Sequence, residues 1–208
     1  WMQLYMWREK ELSNELVRRA ARNGFEALVW TVDIGHGANR EHNLRNSFAT
    51  PFVLNTKSAI DMLRHPIWLA GVMGRYMMNG GMPKHVNYPA GYQTKITGNV
   101  AQQKQTHGVA AKRADKVGWD DVKRLRDIFP GKFLLKGIMR ADDAERAKQE
   151  GVDGIIVSNH GGRNMDSAPP TISVLADIRK AVGDDMTIIV DSGVRRGSDI
   201  VKAVALGA

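Results

Sequence analysis

Short, mostly apolar runs alternate with stretches whose apolar residues recur every three or four positions. Trp1–Met6, Ala27–Val32, Phe133–Lys136, Gly154–Val157 and Thr187–Val190 are the apolar runs. Runs this short, apolar on both faces, predict buried strands of a parallel sheet. Between them, Arg8–Asn23, Asp120–Phe129, Arg140–Glu150, Ile172–Val182 and Ser198–Leu206 have helical spacing. Leu12, Leu16 and Ala20 should face inward on the first, and Val122, Leu125 and Ile128 on the second. Gly24, Pro130-Gly131, Gly151, Gly183 and Gly207 stand where these helices should stop. Strand, loop, helix, stop, repeated, predicts parallel β/α units. An open doubly wound sheet and a closed barrel both fit. Polar residues follow every strand: Gln3 and Tyr5, Thr31 and Asp33, Lys136, Ser158 to Arg163, and Asp191 to Arg195. An open sheet concentrates its site at one switch point, whereas a barrel brings all strand ends to one mouth. The distribution favours a (β/α)8 barrel.

The rhythm breaks between residues 47 and 118, where Pro51, Pro66, Pro83 and Pro89 interrupt the pattern. Ile67–Met78 is the most apolar part of this segment. It is too short to span a bilayer, which takes about 20 apolar residues. It can lie in the interface, with Trp68, Leu69, Val72, Met73, Tyr76 and Met77 in lipid and Lys/Arg at the headgroups. Packing as a lid over an active site is the alternative. Charge sharpens this picture. Of the formal +8, residues 51–118 contribute nine Lys/Arg against two acids, so the remainder is near neutral. An anionic partner such as a membrane surface is expected; few aromatics and no nucleic-acid-binding module argue against nucleic acid.

The 208 residues contain no cysteine, which excludes disulfides and thiolate metal sites. No His/carboxylate group has metal-ligand spacing, so no metal is expected. Trp1–Tyr5 reads as the interior of a strand, and Gly207-Ala208 follows directly on a helix. We expect a piece of a longer polypeptide: one partial barrel over residues 1–208, with residues 47–118 as an irregular basic insertion. The densest chemistry is Ser158-Asn159-His160-Gly161-Gly162-Arg163, straight after an apolar strand. His160 can move a proton near neutral pH, Arg163 can clamp a carboxylate, and the glycines admit a ligand to the backbone.

Six blocks carry a resemblance: Q-L-Y at Gln3–Tyr5, T-V-D at Thr31–Asp33, R-E-x-x-L-R-N at Arg40–Asn46, L-K-G-I at Leu135–Ile138, S-N-H-G-G-R at Ser158–Arg163, and D-S-G-V-R-R-G-S-D at Asp191–Asp199. In this order the chain resembles the FMN-dependent α-hydroxy-acid oxidase/dehydrogenase family over nearly its whole length. The resemblance implies FMN as cofactor and a small 2-hydroxy acid as substrate. It implies His160 as catalytic base, Asp33 as its partner, Arg163 and Arg40 as cations for the substrate carboxylate, and Tyr5 as a substrate hydrogen-bond donor. Lys136 would lie beside the flavin, with Gln3, Thr31 and Ser158 on its ring, Asp191 on the ribityl chain, and Gly193 and Arg195 at the phosphate. It also implies that the first two barrel strands and the last lie outside this chain, that the insertion follows strand 4, and that the protein is a homotetramer.

The loop after Asp33 departs from the family pattern at Asn39 and Asn43, where relatives carry an arginine and an acid. The apolar, basic insertion is similar to that of the membrane-associated (S)-mandelate and L-lactate dehydrogenases. That points to a dehydrogenase on the cytoplasmic face of the cell membrane, passing electrons to a quinone or respiratory-chain acceptor. The alternatives are a soluble oxidase using oxygen and, in other classes, a non-redox flavin barrel such as a type 2 isopentenyl diphosphate isomerase or a catalytically silent barrel used for binding.

Overall fold

The computed structural model describes residues 1–35, 41–46, 54–81, 114 and 116–208. The chain divides into two compact units, residues 1–39 with 113–208, and residues 40–112. Strands β1 (Met2–Leu4), β2 (Ala27–Thr31), β3 (Lys132–Lys136), β4 (Gly154–Val157) and β5 (Thr187–Val190) belong to the first unit. Helices α1 (Lys10–Arg22), α6 (Trp119–Ile128), α7 (Ala141–Gln149), α8 (Thr171–Val182) and α9 (Gly197–Ala205) alternate with them. The second unit holds α2 (Glu41–Arg45), α3 (Thr56–Leu63), α4 (Pro66–Trp68) and α5 (Arg75–Met78).

All five strands pair in parallel, in the spatial order β1-β2-β3-β4-β5. Strictly sequential order decides between the two architectures. A doubly wound sheet reverses its strand order at a switch point, and a barrel does not. The unit is thus an arc of a (β/α)8 barrel.

Period-two alternation sorts the side chains into two layers. Leu28, Trp30, Phe133, Leu135, Ile155, Val157 and Ile188 point outward into one continuous core with Val17, Val122, Leu125, Phe129, Leu175 and Ile178 of the helices. Ala27, Val29, Leu134 and Ile156 form a small second cluster on the inner face, with Ile189 against it. In the register, Val29 lies beside Leu134, Leu135 beside Ile155, and Ile156 beside Ile189. One inward step further along, the same alternation turns polar: Thr31, Lys136, Ser158 and Asp191. The inner apolar layer is the floor of the site.

Two expectations change, and the conformation of one further segment is settled. The first strand is shorter than Trp1–Met6: only Met2–Leu4 pair, and the Met6 carbonyl instead accepts from the Ala114 N–H at 2.8 Å. The buried stripe of α1 runs through Ser13, Asn14, Val17 and Ala20, with Leu12 and Leu16 half-buried. Two polar side chains can be buried there because each finds partners: Ser13 Oγ accepts from Trp7 N–H at 2.9 Å, and Asn14 Oδ1 from Arg124 Nε at 3.2 Å. Finally, Ile67–Met78 is helical but not uniformly α. It starts with Pro66 in the first turn, widens to a π-helical stretch over Leu69–Gly74 and resumes as α5. None of its residues is buried.

Candidate active site

The inward-facing ends of the five strands enclose an open cleft of about 450 Å³ lined by Gln3, Tyr5, Thr31, Lys136, His160, Gly161, Arg163, Asp191 and Ser192. This is within the usual range for a small-molecule site. Every strand contributes, as a barrel mouth requires.

His160 and Asp33 come together from positions 127 residues apart. The imidazole Nδ1 lies 3.0 and 3.1 Å from the two Asp33 oxygens, and both side chains are mostly shielded from water. With Nδ1–H donated to the carboxylate, Nε2 is left to accept a proton. His160 adopts a left-handed backbone conformation, φ 58°. That is uncommon for a side chain with a Cβ and needs local support. The support is present: the His160 N–H donates to Ser158 Oγ at 3.2 Å, and the next N–H, of Gly161 at φ 67°, donates to both Asn159 Oδ1 and Ser192 Oγ at 3.0 Å. Ser192 is itself left-handed, φ 73°.

A second cluster sits beside the pair. Lys136 Nζ donates to Asp191 Oδ2 at 2.6 Å and to Ser158 Oγ. Ser192 Oγ donates to Asp191 Oδ1 at 2.8 Å. Burial pushes the Asp191 carboxyl up, but hydrogen bonds from Lys136, Ser158 and Ser192 outweigh it and hold the group below the usual carboxylate range. Asp191 is therefore an anion that keeps Lys136 oriented toward the cleft. On the neighbouring strands, where Thr31 is the register partner of Lys136, Gln3 Nε2 donates to Thr31 Oγ1 at 2.8 Å, which fixes the amide in place.

Most of the expected site residues among the described ones fall at this mouth. Gln3, Tyr5, Thr31, Lys136, His160, Arg163 and Asp191 line the cleft, and Asp33 and Ser158 are bonded to lining residues; Gly193 and Arg195 follow β5 in the chain but are not among the lining residues. Arg40 lies outside the described residues. Arg195 differs in one detail: its backbone N–H is given to Asp199 Oδ2 at 3.1 Å, alongside that of Arg196 at 3.0 Å. Two residues with no expected part also enter. Asn164 Nδ2 donates to the Asp33 carbonyl at 3.0 Å, and Gly137 abuts the Asp33 side chain. The only signal in the sequence was their adjacency to Arg163 and Lys136.

Amide, hydroxyl, ammonium and carboxylate groups thus face one cleft from different strands, a donor and acceptor set suited to the polar edge of a flavin ring. The whole chain, residues 1–208, matches the model of the FMN-dependent dehydrogenase family. The chain belongs to the FMN-dependent dehydrogenase family. It is 36% identical to 2-hydroxyacid oxidase 1 of Mus musculus and 35% identical to (S)-mandelate dehydrogenase of Pseudomonas putida, in each case over all of this chain and 49% of the relative. A putative L-lactate dehydrogenase of Mycobacterium tuberculosis is 34% identical over all of this chain and 47% of the relative. Among solved structures, a monotopic membrane protein, (S)-mandelate dehydrogenase, superposes with a TM-score of 0.85 at 36% identity, covering all of this chain and 52% of that one. A mandelate oxidase gives 0.67 at 32% identity, covering 48% of that chain. The chain therefore spans about half the length of the relatives it matches. FMN is the family's cofactor, and the donor set of the cleft fits it.

Proposed function

We propose that the protein carrying this chain oxidises an (S)-2-hydroxy acid of the mandelate or lactate type to the 2-keto acid. The observation that carries the reading is the His160–Asp33 pair, 3.0 Å apart, in a cleft that also holds Arg163 and Tyr5. The Arg163 guanidinium, with Arg40, binds the substrate carboxylate by parallel hydrogen bonds and so fixes the C2 atom. Tyr5 hydrogen-bonds the substrate. His160 Nε2 takes a proton as C2 is oxidised, and Asp33 stabilises the imidazolium that results. The substrate loses two electrons and two protons, and bound FMN supplies the two-electron acceptor. Gln3, Thr31, Lys136 and Ser158 would hold its ring, Asp191 the ribityl chain, and Gly193 and Arg195 the phosphate. Lys136 brings a fixed positive charge, and Asp191 keeps it in place.

For the electron acceptor we favour a quinone or respiratory-chain carrier, reached from the cytoplasmic face of a membrane. Residues 47–118 would form the contact, or a lid, within the one barrel domain. Support comes from the exposed Ile67, Trp68, Met77 and Met78 beside Arg64 and Arg75, and from the monotopic structural relative. No helix among the described residues is long and apolar enough to cross a membrane. Oxygen is the competing acceptor, because a 2-hydroxyacid oxidase is as similar as the dehydrogenases. A homotetramer is part of the same reading.

The test is anaerobic mixing of the flavin-loaded protein with S-mandelate, S-lactate and glycolate. Bleaching of the flavin absorbance by one of them is expected; no bleaching by any would overturn the reading. His160→Asn should stay yellow and lose bleaching by about 10⁴-fold or more. Reoxidation of the bleached enzyme by a quinone, compared with air, then separates dehydrogenase from oxidase.

A further inference from the structure

A hydrogen-bonded acid and imidazole work only if both are held to within about 0.5 Å. Different parts of the chain must therefore fix each side of the pair. The His160 side is fixed by Ser158, Asn159 and Ser192, as described. The Asp33 side has a different problem. The last ladder bond of β2 runs from the Val32 N–H to the Lys136 carbonyl at 2.9 Å, and Asp33 lies just beyond it. Two contacts restrain it there. Its carbonyl accepts from Asn164 Nδ2 at 3.0 Å. Its side chain packs so closely on Gly137 that a Cβ at that glycine would fall 2.6 Å from Asp33 Cβ. Asn164 is half-buried, not a solvent-facing loop residue, and directly follows Arg163. Its amide is a strut between the loop that carries the carboxylate clamp and the backbone that presents the acid.

We propose that Asn164 is a positioning residue for the reaction, holding the Asp33 backbone in register with His160 from the loop that carries Arg163. This rests on the 2-hydroxy-acid reading of the cleft. The bond from Asn164 goes to the Asp33 carbonyl and not to the ring of His160, so it acts through Asp33. Removing the strut lets the carboxylate drift from Nδ1 while leaving Arg163 in place. The loss therefore belongs in the rate at saturating substrate, not in substrate affinity.

The experiment uses the flavin-loaded protein, with wild type, Asn164→Leu, Asn164→Asp, Asp33→Asn and the Asp33→Asn/Asn164→Leu double variant. Asn164→Leu should slow saturating flavin bleaching by roughly 10- to 100-fold, the scale of a small misplacement. Half-saturating substrate and melting temperature should change little. Asn164→Asp, of equal size but with an acceptor where the donor was, should be slowed at least as much and guards against a folding failure of the leucine variant. In the Asp33→Asn background the further loss from Asn164→Leu should fall to within about 3-fold, because both changes act on one pair. A full saturating rate in Asn164→Leu, a raised half-saturating concentration with an unchanged rate, or an undiminished loss in the Asp33→Asn background would each overturn the proposal. A readout independent of turnover is the proton resonance of the His160 ring N–H. It should move or broaden in Asn164→Leu, and an unchanged signal counts against the strut. If wild type is bleached by no 2-hydroxy acid, the functional reading fails while this resonance still tests the positioning.

Discussion

Asp121 illustrates how single residues hold the frame. Its side chain is 3% exposed and accepts from Lys10 at 2.7 Å, Arg124 at 2.7 Å and the Gly118 N–H at 3.0 Å. Burial pushes this carboxyl up, but the bonds from Lys10, Gly118 and Arg124 outweigh it and hold it below the ordinary value. A carboxylate with a lowered folded pKa stabilises the fold above its unfolded value of 3.8, and that contribution is lost as pH falls through the folded one. Asp121→Asn should cost about 2 kcal/mol at pH 7, because its cationic partners keep some water. It should also flatten the acid limb of a melting-temperature profile; an identical limb would show that Asp121 does not drive it. Trp30 makes the opposite case. It is 1% exposed, and its Nε1 is buried without a hydrogen-bond partner among the described residues. Trp30→Phe removes that orphaned donor along with some volume. Its cost in urea unfolding should stay near 1 kcal/mol, well below the 3–5 kcal/mol usual for Trp→Ala.

Elements are joined by a few bridging side chains. Arg126, near the end of α6, donates to Asp153 at 2.6 Å and to the carbonyls of Phe129 and Gly131, at 2.5 and 2.6 Å. Asp153 also accepts from the Phe133 N–H at 2.9 Å, so this cluster fixes where β3 begins. Arg126→Met should cost about 1–2 kcal/mol, discounted for partial exposure, and should increase amide exchange at the start of β3 before that of α8. Element types were legible in the sequence because each depends on a local pattern. β4 and β5 match the expected ranges, and most helices match within one or two residues. The miss on α1 arose because periodicity scores Ser13 and Asn14 as polar and so outward. Their partners, Trp7 and Arg124, are settled only when α1 packs near α6. The π-helical stretch over Leu69–Gly74 has no local signature.

At the scale of the molecule, charge and apolar surface meet in the second unit. If Pro66–Met78 docks on anionic lipid, each nearby cation adds about 1 kcal/mol, screened by salt. Arg64→Glu with Arg75→Glu should weaken binding to phosphatidylserine vesicles by roughly tenfold or more, and 0.5 M salt should do much the same to wild type. Binding indifferent to both would overturn the electrostatic docking.

The sequence by itself determined the β/α rhythm, the family, and which residue types stand at the strand ends. Those are properties of short stretches, where spacing and motif suffice. Only the tertiary structure decided that the strands run in sequential order, that Lys136 is paired with Asp191, and that Asn164 and Gly137 brace Asp33. These are contacts between ends of different strands. They depend on parallel register and on the alternation that turns every second side chain inward, and no single stretch of sequence encodes either.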